Sequence, residues 1–195
     1  MRKKISLLLA ILICCTIIVT AVSCNSTNKI TKMEEKLNKA DSYKITITMD
    51  NVPMLGKATM TMKIEGNKTF TSGMFGESDI FTEEVNGKTY QYFEVNDVWY
   101  KEEIKEEKDD EEGSIFSNDF IESLFDAEKY EAVKGEKNTF VLKEGEEIDG
   151  ISDVKVVVEK DAITILGVVE GFDVSFVFDG INKTKVNLPN DAIEL

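Results

Sequence analysis

The chain of 195 residues contains no histidine, two prolines, one tryptophan and three cysteines. Without histidine, the commonest general acid–base and the commonest imidazole metal ligand are missing. Arginine occurs once, at Arg2, so every other basic residue is a lysine and no guanidinium fork is available to grip phosphate or carboxylate. Cys14 and Cys15 lie inside an apolar run, so a chain that begins at Cys24 keeps one cysteine and cannot form an internal disulfide. Neither a His/Cys zinc site nor a nucleophile–histidine pair can be assembled. The stretch Gly150-Ile151-Ser152-Asp153-Val154 starts like a nucleophile elbow but lacks the second glycine. The expectation is a protein that is no enzyme, with no catalytic residue, no cofactor and no metal.

What the chain does have begins at its start. Arg2, Lys3 and Lys4 precede an apolar run from Ile5 to Val22, which closes on Ala21-Val22-Ser23-Cys24. That is the layout of an export signal. It resembles a bacterial lipoprotein signal with its lipobox, with Ala21 in the place where Leu is usual. The resemblance implies a signal peptide at 1–23, a Cys24 that carries the lipid, and a short tether at 24–28. Two other readings stay open. Ile5 to Val22 also reaches the minimum length of a membrane span, and plain secretion would leave Cys24 a free thiol. The small-residue ending favours cleavage. Two or three acyl chains on Cys24 would hold the protein durably on the cell membrane, on its extracytoplasmic face.

Loss of residues 1–23 removes three basic residues and no acidic ones, leaving 20 basic against 37 acidic, a net charge of −17. On that net charge, nucleic acid and anionic head groups are poor partners. The 172 residues from Cys24 to Leu195 suffice for one domain that buries about 70% of its unfolded surface.

Apolar spacing is first helical and then alternates. Thr31 and Glu34 form a capping-box pattern, with Ile30, Met33, Leu37 and Ala40 on one helix face. Tyr43, Ile45, Ile47 and Met49, and then Ala58, Met60, Met62 and Ile64 after a Pro53 turn, read as half-buried strands. Gly66-Asn67, Asn86-Gly87 and Asn96-Asp97 are hairpin signals, and the second places Phe81 opposite Tyr92. Tyr90, Tyr92 and Trp99 should share one face, and Phe93, Val95, Val98 and Tyr100 the other. From Lys101 to Glu112 there are eight acidic residues and three lysines, read as a solvated acidic loop over 101–113 rather than a calcium loop, because the order does not fit EF-hand spacing.

Ser117 can cap a second helix with Phe120, Ile121, Leu124 and Phe125 on one face. Alternation resumes at Phe140, Val154, Ile163 and Phe172, with a last short strand at Val186 and Leu188. The pattern predicts an α+β domain over 29–195: one curled antiparallel sheet of about nine to eleven strands, covered by the two short helices.

Three stretches look like those of the LolA/LolB-like and LppX/LprG-like lipoproteins and of groups of Gram-positive lipoproteins. They are Ala40 to Met49, Asn86 to Tyr92 leading to Trp99-Tyr100-Lys101, and Val186 to Pro189. The resemblance covers most of the chain after Cys24. It implies a half-barrel wrapped around helices, whose concave apolar face holds acyl chains in the lipid-carrying members. A cavity for a lipid or another apolar ligand is then expected at Ile45, Ile47, Met60, Met62, Phe70, Tyr92, Val156, Ile165 and Phe176. The five methionines between residues 49 and 74 suit either a core or an adaptable apolar surface. The competing expectation is a surface lipoprotein that binds a protein partner and no ligand.

Overall fold

The structure, a computed structural model, describes residues 29–72, 79–104 and 118–195. The expected signal at 1–23, the tether with Cys24, the cap at Ser117 and the acidic run beyond residue 104 lie outside the described residues.

Among the described residues, twelve strands form one open sheet. They are β1 (Ser42–Val52), β2 (Gly56–Glu65), β3 (Lys68–Thr71), β4 (Ile80–Val85), β5 (Lys88–Val95), β6 (Val98–Ile104), β7 (Tyr130–Ala132), β8 (Thr139–Leu142), β9 (Ser152–Val158), β10 (Ile163–Val169), β11 (Phe172–Asp179) and β12 (Ile193–Glu194). Their spatial order is β12-β6-β5-β4-β3-β2-β1-β11-β10-β9-β8-β7. The chain thus meanders from β1 outward to β6, crosses to the opposite edge at β7, and meanders back until β11 closes on the free side of β1. Helix α1 (29–38) precedes the sheet, and helix α2 (Asn118–Ser123) lies on the crossover.

Turn chemistry sets the register. Glu65↔Lys68, Val85↔Lys88 and Val95↔Val98 close two-residue hairpins at Gly66-Asn67, Asn86-Gly87 and Asn96-Asp97. Both central residues of each later turn have positive φ, which Asn, Asp and Gly tolerate. Phe81 stands opposite Tyr92 as expected. At Gly167 a β-carbon would overlap the Ile151 side chain, so a larger residue at the bulge between Leu166 and Val168 requires Ile151 to shift.

The core lies on one face of β1, β2 and β7–β11. Ile30, Met33 and Leu37 of α1 are buried against it, and beyond α2 so are Leu124 and Phe125. Phe120 lies 5.8 Å from Phe176, so the crossover packs on β11 in mid-sheet. The buried Tyr130 hydroxyl donates to the Leu124 carbonyl at 2.9 Å, satisfying a group that the end of α2 leaves open.

Several expectations are corrected. The sheet has twelve strands, because β7 and β12 are too short to give an alternating pattern. It is not antiparallel throughout, since β12 pairs parallel with β6. Val186 and Leu188 are in no strand. The buried Val186 instead donates its N–H to the Glu65 carboxylate at 2.8 Å, while Lys185 donates at 2.6 Å. The acidic loop does not begin at 101, because Lys101–Ile104 belong to β6. Thr31 is not the cap of α1, which is already helical at Lys29, where burial of Ile30 extends it.

Candidate apolar ligand site

Register sorts the expected lining residues. Met60, Ile47, Phe176, Ile165 and Val156 follow one another across β2, β1, β11, β10 and β9, each directly opposite the next. Direct partners project to the same face. All five are buried, as is Ile45 in the neighbouring row; Met62, opposite Ile45, is half-buried at the margin of the core. These seven residues are therefore brought together, under α1 and the crossover, as a packed layer.

Phe70 and Tyr92 are not part of it. Phe70 pairs with Lys63, which pairs with Lys44, and Phe81 and Tyr92 continue that row to Lys101. This row stands on the opposite face, because Ile45 and Met62 alternate with Lys44 and Lys63. The assignment of Phe70 and Tyr92 to the inward face is corrected for that reason. They belong to an aromatic patch on the reverse of the sheet. Phe70 and Phe81 are 4.9 Å apart, and Trp99 meets Phe81 edge-on at 5.4 Å. Lys63 lies 4.8 Å above Phe70, and Lys101 lies 4.2 Å above Tyr90. Burial pushes the Tyr92 hydroxyl's pKa up, and that hydroxyl donates to Glu83 at 3.2 Å. In both contacts the ammonium nitrogen itself lies over the ring face, the geometry of a cation–π interaction.

On the core face, a cleft of about 280 Å³ opens between α1 and α2. Leu37, Tyr43, Ile121, Phe125 and Phe178 supply its apolar lining, with Glu34 and Asn38 also on it. Phe178 and Phe125 are its most deeply buried members, and desolvation raises the Tyr43 pKa. An apolar concavity with a few polar groups is the usual form of a small-molecule site, and this one lies at the small end of the range. None of its lining residues was on the expected list. The signal that could have found it is the pair of helical stripes, which pack on the same face of the sheet and leave a seam between them.

The same face continues beyond the core into β4, β5 and β6. Because Phe81 opposes Tyr92 on the reverse face, Ile80 and Phe93 point to the core side. Phe93 stacks on Tyr100 at 5.8 Å, and Ile80, Val95 and Val98 are exposed. Apolar surface therefore runs on past the part of the sheet where the buried core lies.

No family model matches the chain, and no curated protein matches it.

Proposed function

We propose that this protein is a lipid-anchored extracytoplasmic lipoprotein that takes up a lipid chain or another apolar molecule at the cleft between α1 and α2. The half-barrel shape expected from the LolA/LolB-like and LppX/LprG-like resemblance belongs to this reading. The single observation that carries it is the cleft, whose apolar lining joins α1 and the crossover at α2 to the adjacent strands β1 and β11. A volume of about 280 Å³ accepts part of an acyl chain, and a larger ligand requires α1 and α2 to separate. The exposed Ile80, Val95 and Val98 on the same face support a path along which a longer apolar ligand extends.

Two experiments test the reading. Protein lacking residues 1–24 is extracted with organic solvent and the extract analysed by mass spectrometry; a stoichiometric lipid supports the reading, and an empty extract from freshly purified protein counts against it. Metabolic labelling with a fatty-acid probe tests the anchor: the label is carried by the wild type and lost in Cys24→Ala.

A second reading, a lipoprotein that binds a protein partner through the sheet, is favoured by the reverse-face row in which Lys63 and Lys101 bracket Phe70, Phe81 and Tyr92. Tyrosine, tryptophan and phenylalanine are enriched at such interfaces.

A further inference from the structure

A protein of such acidic charge carries a lysine cluster at the end of the domain nearest Cys24. Lys29, Lys32 and Lys36 follow one another at helical spacing on α1. With Lys160, from the β9–β10 turn, they border a cleft of about 380 Å³ whose lining also includes Met33, Val158, Asn138 and the carboxylate-bearing Glu159. Lys36 donates to Asp161 at 2.8 Å and to the Lys160 carbonyl at 3.2 Å. Lys29 donates to the neutral amide oxygen of Asn138 at 2.5 Å, so this contact leaves its charge uncompensated. Lys183 is close enough to act on the Asp161 carboxylate as well. Acidic groups on the elements packed here are Glu159 and Asp161 from the same turn and Glu34 and Glu35 on α1, of which Glu35 pairs with Lys39.

Chain length fixes where this cluster works. Cys24 precedes Lys29 by five residues, a reach of at most about 17 Å when fully extended. Lys29, Lys32 and Lys36 span only about 10 Å along the helix axis. At physiological ionic strength charges are screened over about 8 Å, so a membrane holding Cys24 senses this cluster before it senses the acidic remainder. The net charge that makes the whole molecule a poor partner for anionic lipid is therefore locally reversed.

We infer that Lys29, Lys32 and Lys160 form a docking surface for the phosphate head groups of anionic phospholipids in the membrane that carries the Cys24 anchor. The inference rests on the lipid-anchor reading. The contact gives the anchored domain a defined orientation, with the N-terminal end of α1 against the bilayer. Each lysine held near an anionic surface strengthens partition about fivefold.

The single cysteine of a chain beginning at Cys24 permits a direct test. Such a chain keeps every buried core residue among the described residues, the first of which is Ile30. It is coupled through the Cys24 thiol to a maleimide lipid in vesicles of phosphatidylcholine, with or without phosphatidylglycerol, and its lysines are acylated with an N-hydroxysuccinimide ester. Expected is a several-fold fall in labelling of Lys29, Lys32 and Lys160 when phosphatidylglycerol is present, reversed by high salt, with Lys88 of β5 unchanged. Equal labelling on both vesicles, or protection of Lys88 instead, overturns the inference. Chemical coupling supplies the tether, so this outcome does not depend on whether cells acylate Cys24; that failure would appear separately as loss of the fatty-acid label.

Discussion

Phe125 meets Phe178 edge to face, with ring centroids 5.1 Å apart and planes at 77°, and the two rings form the deepest part of the cleft between α1 and α2. The contact ties the crossover to β11. Phe125→Ala is expected to cost about 3 to 5 kcal/mol, as for truncation of a packed core ring. Chemical denaturation measures this, and a cost below about 1 kcal/mol would mean that the ring is not packed.

Ala58→Phe separates filled from empty space on the sheet. Ala58 is buried, stands opposite Met49 and belongs to the core cluster. A phenylalanine there should overpack the core and cost about 1 to 3 kcal/mol. A variant as stable as the wild type would place empty volume beside β2.

Glu65 should shape the acid limb of the stability profile. Its pKa is lowered, first by the hydrogen bond from Lys185 and then by that from the Val186 N–H. A carboxylate with a depressed folded pKa contributes stability above its unfolded pKa of about 4.3 and loses it as pH falls through the lower folded value. Glu65→Gln lacks this titration. Thermal melts between about pH 5 and pH 3 should therefore fall less steeply in the variant than in the wild type. Parallel curves would show that the clamp on the tail contributes nothing.

Trp99 is the only tryptophan, and it sits in β6, outside the buried core of β1, β2 and β7–β11. Regions with fewer buried apolar contacts open at lower free energy. Trp99 fluorescence should change at lower denaturant concentration than far-UV circular dichroism. Coincident transitions would mean that β3–β6 and the core unfold as one unit.

Short-range chemistry was the legible part of this fold. Asn86-Gly87 and Asn96-Asp97 carry their turn type in two residues, and the register of β4, β5 and β6 follows from them. The alternation at Ile45-Ile47 and Phe176-Phe178 reports a buried face directly. Phe70 was harder. It sits in a four-residue strand between Thr69 and Thr71, where either face fits, and only the partner Lys63 decides between them. Val186 and Leu188 imitate a strand because alternate residues of an extended tail also turn inward. Glu65, which holds that tail, is 121 residues away from Val186. The cleft was illegible for the same reason, since it depends on how two helices far apart in sequence meet β1 and β11, strands that are themselves far apart in sequence.

The central claim is tested most directly by uptake of a fluorescent fatty acid by protein beginning at Asn25, compared with Ile121→Trp. Ile121 is half-buried on the cleft lining, so an indole there occupies the space between α1 and α2. The account predicts saturable uptake by the wild type, loss of at least about tenfold in affinity for Ile121→Trp, equivalent to about 1.4 kcal/mol, and a melting temperature unchanged or raised. Equal uptake by both proteins, or none by a wild type shown to be free of lipid, would contradict it.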